Sequence, residues 1–249
     1  MKQPQKPFDP VALSLSLAEA VCKNSGMKYT VFCRSGPHGG ISTGYSAGCC
    51  LRCIFCWADQ SRDDPEKFGR FYSPEEALGE LLKYANPKGV KRLRLSGGEP
   101  TACRDHLFGL LDAMQGTDSI LTLETNGILL GADEEYVKRL SKFNQFHVRV
   151  SVKAGTAAGF QRITGAHGEF YQLPFNAVSS LIKYKMSFHV ASMTDTRIMP
   201  ADEKSALAKK LAETGYRDFL EEETCIPQPD TIRRLKEAGF TVFSEEWIA

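Results

Sequence analysis

Three closely spaced cysteines are the most distinctive chemical feature of this 249-residue chain. Cys49, Cys53 and Cys56 follow the spacing Cys-x3-Cys-x2-Cys within one short segment. Three thiolates on one loop can ligate three irons of a cubane iron–sulfur cluster and leave the fourth iron open to a small chelating molecule. A structural zinc ion is the alternative, and it needs a fourth ligand such as Cys50 or His38. The cysteines alone leave both interpretations open.

A glycine-rich segment is the second candidate site. The predicted strand 91–96 ends in Ser96-Gly97-Gly98-Glu99-Pro100. Glycines let the backbone approach a ligand closely, and the carboxylate of Glu99 can bind an ammonium group. Such a segment is often a simple turn, but here it ends the strand that follows the cysteine segment. That position makes it a candidate binding site beside the cysteines.

An alternation of apolar strands and amphipathic helices is predicted to position these residues. The clearest helix begins at Ser73-Pro74-Glu75-Glu76, a capping box with proline at the first helical position, and ends at Asn86-Pro87. Strands are predicted at 41–47, 91–96, 119–125, 146–153, 187–193, near Phe219 and at 240–243. This alternation indicates an α/β fold with a parallel sheet. With about six strands we expect an open, partial β/α barrel, and a doubly wound sheet is the alternative.

The predicted strand 146–153 has one polar face. Three valines alternate with polar residues, which are His147, Arg149, Ser151 and Lys153. We expect the valine face to pack on helices, so the polar side chains should point into the barrel. Because an unpaired buried charge is costly, a polar interior suggests a ligand cavity. An edge strand with its polar face in water is the alternative.

Together, these segments resemble the radical S-adenosylmethionine (radical SAM) superfamily. The three cysteines, with the aromatic Phe55 before the last one, are similar to its cluster signature. The Gly97-Gly98-Glu99 segment is similar to the motif that binds the methionine amino group.

Within this superfamily, residues 40–185 are most similar to glycyl-radical-activating enzymes of the pyruvate formate-lyase activating type. The similar segments are Leu123–Gly127, Ser151–Lys153 and Phe160–Gly165. Glu124 stands where an aspartate is usual, and Ser151 replaces the acidic residue of that pattern.

The resemblance implies a [4Fe–4S] cluster on Cys49, Cys53 and Cys56, with S-adenosylmethionine on its open iron. The residues expected to contact S-adenosylmethionine are Phe55, Gly97, Gly98, Glu99, Glu124, Asn126, Arg149 and Ser151. Lys153 is the candidate catalytic contact to substrate or to a carboxylate. An electron from a flavodoxin or ferredoxin would start radical chemistry on a protein, RNA or small-molecule substrate. The alternatives are an electron-transfer iron–sulfur module and a zinc-binding module.

The overall composition argues against some classes of partner. There are 31 basic and 30 acidic residues, and the resulting net charge of +1 is too small to attract the chain to nucleic acid or membrane. The amino terminus lacks the pattern of a secretion signal, and no stretch approaches the roughly 20 apolar residues of a membrane span. We therefore expect a cytoplasmic protein without membrane contact. Residues 1–30 are expected to form an N-terminal extension and residues 31–249 the barrel domain.

The remaining cysteines carry weaker expectations. Cys22, Cys33 and Cys225 have no partner pattern and are expected to be ordinary small apolar residues, and Cys103 is expected to be a packed thiol. Cys50 is expected to point away from the cluster. The basic stretch 88–94 is expected to be the solvated start of a strand.

Overall fold

A sheet of nine strands forms the centre of the computed structural model, which describes residues 6–36, 40–85, 87, 89–226 and 228–240. In chain order the strands are β1 (Cys22–Lys23), β2 (Gly26–Ser35), β3 (Ile41–Ser46), β4 (Arg70–Tyr72), β5 (Arg92–Gly97), β6 (Ile120–Thr125), β7 (Phe146–Val152), β8 (Phe188–Met193) and β9 (Leu220–Glu223). β3 and β5 to β9 are parallel neighbours in that order, whereas β1, β2 and β4 are antiparallel. Within the described residues β9 pairs with β8 alone, so the sheet is open. The expected open, partial parallel barrel of about six strands is confirmed.

Helices connect the parallel strands. They are α1 (Pro10–Val21), α2 (Asp59–Asp63), α3 (Pro74–Ala85), α4 (Arg104–Ala113), α5 (Ile128–Ala132), α6 (Glu134–Leu140), α7 (Ala157–Thr164), α8 (Leu173–Lys183), α9 (Ala201–Glu213) and α10 (Pro229–Glu237). The expected capping box begins α3: the Glu76 amide donates to Ser73 Oγ at 3.2 Å, and the Ser73 amide donates to the Glu76 carboxylate at 2.8 Å. These bonds satisfy amide groups that a helix start otherwise leaves unpaired.

The two faces of the parallel strands differ in polarity. The outer face carries buried leucines and valines that belong to one hydrophobic core with the helices, namely Leu93, Leu95, Leu121, Leu123, Val148, Val150, Val152 and Val190. The inner face carries polar side chains, and parallel pairing places Arg149 beside Glu124 on one neighbour and beside His189 on the other. Because β7 lies between β6 and β8, its polar row faces the interior, and the edge-strand alternative is wrong.

The amino-terminal segment joins the same sheet. β2 pairs with β3 and β4, and it crosses the expected boundary between residues 30 and 31. Phe8 is tied to the end of α7, since its amide donates to Gly165 O at 3.3 Å and its carbonyl accepts from the His167 amide at 2.9 Å. The boundary therefore does not fall between elements, and the division of the chain into an extension and a domain stays a prediction.

A disulfide between Cys22 and Cys103 joins the start of β1 to the residue before α4. Their Cα atoms lie 5.6 Å apart, although 81 positions separate them in sequence. The expectations that Cys22 lacks a partner and that Cys103 is a packed thiol are therefore wrong. The fold, and not any local pattern, brings the two residues together.

Two other expectations concern the last predicted strand and membrane spans. Most of the expected strand at 240–243, like His38, lies outside the described residues. No helix in the described part of the chain is long and apolar enough to cross a bilayer.

Candidate functional site

A cavity of about 180 Å³ opens at the carboxyl ends of the parallel strands. Twelve of its lining residues were expected to form the site: Cys49, Cys53, Phe55, Cys56, Gly97, Gly98, Glu99, Glu124, Asn126, Arg149, Ser151 and Lys153. The structure thus brings every candidate site residue to one cavity. The individual role of each residue stays a prediction.

The three cysteines lie where each could bind a different iron of a cluster. In the described residues, no three His, Cys, Asp or Glu side chains are placed to hold one metal ion. A cubane does not need such convergence, because each thiolate binds a different iron. Cys49, Cys53 and Cys56 line the cavity together, and thiolates are the ligands that iron–sulfur clusters use. The residues present therefore fit a [4Fe–4S] cluster.

The three thiols ionise differently because their surroundings differ. A hydrogen bond with the Cys50 thiol is the main cause that lowers the pKa of Cys49 to about 7. Burial raises the pKa of Cys53 to about 12, against the positive charge of Lys153. Burial also raises the pKa of Cys56. Ligation of iron by Cys53 and Cys56 must therefore displace protons.

Cys50 is fully buried and lies outside the cavity lining. It is nevertheless close to Cys49, because the side-chain amide of Asn126 donates to Cys49 Sγ at 3.6 Å and to Cys50 Sγ at 3.4 Å. Asn126 thereby connects the end of β6 to the cysteine loop.

The two glycines of the candidate motif join β5 to the cysteine loop. A Cβ at Gly98 would lie 2.0 Å from Gly48 O, and Gly97 has a φ of +92° that side chains rarely adopt. The Gly98 amide donates to Ser46 O at 2.8 Å, and the Glu99 amide donates to Gly48 O at 2.7 Å. Glycine is required here because the backbone at the end of β5 packs closely against the backbone of the cysteine loop. Any approach of a ligand would come in addition to this contact.

Glu99 is buried and already hydrogen-bonded. Its carboxylate accepts from Thr101 N at 3.2 Å, Thr101 Oγ1 at 2.6 Å, Thr125 Oγ1 at 2.7 Å and Asn126 N at 2.8 Å. Burial raises the pKa of Glu99, and these donors oppose the rise. Glu99 therefore fixes the ends of β5 and β6 to each other at the cavity wall.

Arg94 contradicts the expectation that the stretch 88–94 is solvated. Its side chain lies on the inner face of β5, where it bonds Glu124 at 3.1 Å and Thr43 Oγ1 at 3.0 Å. Ser96 Oγ also donates to Glu124. Strand alternation turns Arg94 inward, whereas Lys91 keeps an exposed side chain.

The polar row of β7 meets acidic residues on β9 that the sequence analysis missed. Arg149 is only 11% exposed and donates to Glu221 at 2.7 Å and to Glu223 at 2.8 Å. The hydrogen bond from Arg149, together with His189 Nε2 at 2.7 Å, lowers the pKa of Glu221 to about 2. The run Leu220-Glu221-Glu222-Glu223 was the available signal, because alternation along a short strand turns its first and third glutamates inward.

Lys153 is the cation at the mouth with the least pairing. Its ammonium donates to Ser151 Oγ at 2.6 Å and lies 5.9 Å from the centre of the Phe55 ring. Among the described residues it has no carboxylate within ion-pair distance. Lys153 is therefore free to meet an anionic or hydrogen-bonding group in the cavity. Trp57 also lies at the mouth, where its side chain is 60% exposed and contacts Tyr45 edge-on.

A family model described as the Radical SAM superfamily matches residues 44–211. The matched range begins in β3 and ends in α9, so it contains the cysteine loop, the glycine motif and the polar row of β7.

Curated relatives carry the name GTP 3′,8-cyclase. One from Methanococcus aeolicus, named a probable GTP 3′,8-cyclase, is 29% identical over 59% of this chain and 48% of its own length. One from Xanthomonas axonopodis is 33% identical over 50% of this chain and 37% of its own length. The chain thus spans less than half of these relatives.

Solved structures share the fold. SuiB from Streptococcus suis bound to S-adenosylmethionine superposes with a TM-score of 0.60 at 17% identity, covering 80% of this chain and 45% of that chain. The protein anSMEcpe with bound S-adenosylmethionine gives a TM-score of 0.54 at 20% identity, covering 78% of this chain and 55% of that chain. At these identities the likeness concerns the fold.

Proposed function

Because this chain belongs to the radical SAM superfamily, we propose that it cleaves S-adenosylmethionine reductively and abstracts a hydrogen atom from a substrate held in the same cavity. Its cofactors are a [4Fe–4S] cluster and S-adenosylmethionine. The observation that carries the proposal is that three cysteines and the Gly97-Gly98-Glu99 strand end line one cavity.

The chain's own residues would position both cofactors. Cys49, Cys53 and Cys56 would hold the cluster, and it would supply the electron for reductive cleavage of the sulfonium C–S bond to methionine and a 5′-deoxyadenosyl radical. Glu99, held by its hydrogen bonds, offers a fixed negative charge to the methionine ammonium. Phe55 forms an apolar wall that excludes water from reactive species.

Lys153 is the proposed contact to a carboxylate of the substrate or of S-adenosylmethionine. Its ammonium has only the Ser151 hydroxyl and the Phe55 ring beside it, so a carboxylate would complete its pairing. This assignment follows the likeness to glycyl-radical-activating enzymes, which carry a lysine at the matching strand end. The proposed electron donor is a flavodoxin or ferredoxin.

Chemistry on a nucleotide is the second candidate function. It is favoured by the curated relatives, which are named for GTP, although the chain spans less than half of them. Arg149 is buried on the inner face and pairs with two carboxylates. It could bind an anionic substrate only if it released one of these two partners. Comparing 5′-deoxyadenosine formation with GTP, with peptides and with RNA would separate these substrate classes.

Anaerobic reconstitution with iron and sulfide tests the proposal. We expect a brown protein whose dithionite-reduced electron paramagnetic resonance (EPR) spectrum changes when S-adenosylmethionine is added. A cluster whose spectrum is indifferent to S-adenosylmethionine would instead favour an electron-transfer module. A colourless protein that retains zinc would contradict the proposal outright.

A further inference from the structure

An arginine guanidinium binds the main-chain carbonyl of each of the three cysteines that line the cavity. Arg52 Nη1 donates to Cys49 O at 2.6 Å. Arg62 Nη1 donates to Cys53 O at 2.8 Å. Arg234 Nη2 donates to Cys56 O, and its Nε donates to Ile54 O at 3.1 Å. We call Arg52, Arg62 and Arg234 the arginine collar.

The collar is held in place by two acidic residues. Asp63 pairs with Arg52 at 2.9 Å and with Arg62 at 2.6 Å, and Asp59 pairs with Arg234. The three guanidinium side chains are 13%, 3% and 7% exposed, in chain order. Rigid, buried guanidinium forks with fixed partners hold main-chain atoms more precisely than exposed side chains do.

We propose that the arginine collar sets both the shape of the cysteine loop and the electron affinity of the cluster it carries. This inference rests on the proposed function. Three guanidinium charges against two carboxylates leave one net positive charge beside the thiolates. Reduction adds a negative charge to the cluster, so a fixed positive charge bound to the main chain of the cysteine loop stabilises the reduced form. The three arginines act through the loop and are positioning residues.

Arg234 is the member of the arginine collar that lies far from the cysteine loop in sequence, so no local motif predicts its contact. It lies on α10, 180 positions from Ile54, and it reaches the loop from the carboxy-terminal end of the described chain. The carboxy-terminal helix thereby becomes part of the cluster site, in a region of the chain beyond the matched range 44–211. Removal of this guanidinium should loosen Cys56, the last cysteine of the loop.

Three variants at adjacent positions test the proposal. Arg234→Gln removes the charge and the fork, and Arg234→Lys keeps the charge but loses the fork. Arg233→Gln is the matched control, because Arg233 lies on the same helix with a 58% exposed side chain and, among the described residues, pairs only with Asp230 and Glu237. Each reconstituted protein is titrated with dithionite while the EPR signal of the reduced cluster is followed, and iron loss to a chelator is timed.

We expect Arg234→Gln to lower the ratio of reduced to oxidised cluster about tenfold at a fixed potential, the size of one charge-assisted contact. Iron loss should be several-fold faster. Arg234→Lys should keep most of the potential while losing iron faster than wild type, and Arg233→Gln should match wild type in both.

The results that overturn the collar are distinct from those that overturn the function. A wild-type potential in Arg234→Gln, or an equal shift in Arg233→Gln, refutes the collar while the wild-type cluster still responds to S-adenosylmethionine. If Arg234→Gln assembles no cluster, Arg234→Lys decides: a wild-type rate of iron loss in that variant refutes the collar. A wild-type protein without any responsive cluster refutes the proposed function instead.

Discussion

The two walls of the cavity hold their polar groups in different ways. The cofactor wall consists of the loop Cys49–Trp57 and the ends of β5 and β6, and the far wall consists of Arg149, Ser151, Lys153, Met193 and Glu223. On the cofactor wall Glu99 binds main-chain atoms, namely Thr101 N and Asn126 N, and Glu124 is the exception because it bonds the side chains of Arg94 and Ser96. On the far wall the charged groups bind other side chains, as Arg149 does with Glu221 and Glu223.

This difference separates a fixed part of the site from an adjustable one. Main-chain partners cannot rotate away, so the cofactor wall is set before any ligand binds. Side-chain pairs can exchange one partner for another, and Glu221 and Glu223 are 42% and 34% exposed. We therefore expect variants of the cofactor wall to affect assembly and stability, and variants of the far wall to affect turnover.

The largest effect should come from the cluster cysteines. Cys49→Ala, Cys53→Ala or Cys56→Ala removes one of three thiolates and should abolish the brown, S-adenosylmethionine-responsive cluster. Visible absorption and iron content after anaerobic reconstitution measure this. Cys50→Ala is the control and should retain the cluster, because Cys50 does not line the cavity. If Cys50→Ala alone loses it, the ligand assignment is wrong.

Glu99→Gln should lower stability as well as S-adenosylmethionine affinity. The Glu99 carboxylate accepts hydrogen bonds from amide and hydroxyl donors, and a glutamine NH2 group would face some of these donors without being able to accept. We therefore expect the unfolding free energy to fall by about 1.5–3 kcal/mol. Urea unfolding of the apoprotein measures it. Glu222→Gln is the control, since the Glu222 side chain is exposed and pairs with Lys204, and it should cost less than about 0.5 kcal/mol.

Lys153→Met should separate the far wall from the cofactor wall. The methionine keeps much of the lysine stem and removes the charge, so we expect about tenfold slower formation of 5′-deoxyadenosine. The cluster spectrum and the thermal midpoint should be nearly those of wild type, unlike the Glu99→Gln variant. Normal turnover in this variant would make Lys153 a solvated residue at the end of the strand.

The smallest effect concerns pH. The pKa of Glu221 is held near 2 by Arg149 and His189, below its usual value near 4.5, so its stabilising contribution is complete above about pH 4.5. That contribution is lost as pH falls toward 2. The difference in unfolding free energy between wild type and Glu221→Gln should therefore shrink between about pH 6 and about pH 3. A constant difference over that range would show that the ion pair contributes nothing.

The sequence predicted the cofactor wall better than the far wall. One short segment contains Cys49, Cys53 and Cys56, and Glu99 follows the next parallel strand. Cysteine spacing and strand position were therefore enough to predict that these residues share a site. Arg149 was also found, because valine alternation marks the inner face of β7.

The partners of these residues could not be predicted because they lie far along the chain. Glu221 is 72 positions from Arg149, and Arg234 is 178 positions from Cys56. Strand pairing and helix placement decide such contacts. Alternation in Leu220–Glu223 could have marked Glu221 as facing inward, but it does not identify Arg149 as its partner. The Cys22–Cys103 disulfide was missed for the same reason.

The most direct test of the central claim is the fate of S-adenosylmethionine itself. Reconstituted wild-type protein, reduced with dithionite under anaerobic conditions, should convert S-adenosylmethionine into equal amounts of methionine and 5′-deoxyadenosine, measured by mass spectrometry. Cys53→Ala treated in the same way should form neither product above background. If the wild-type protein carries a full cluster and forms no 5′-deoxyadenosine with any substrate class, the cavity does not cleave S-adenosylmethionine and the account is wrong.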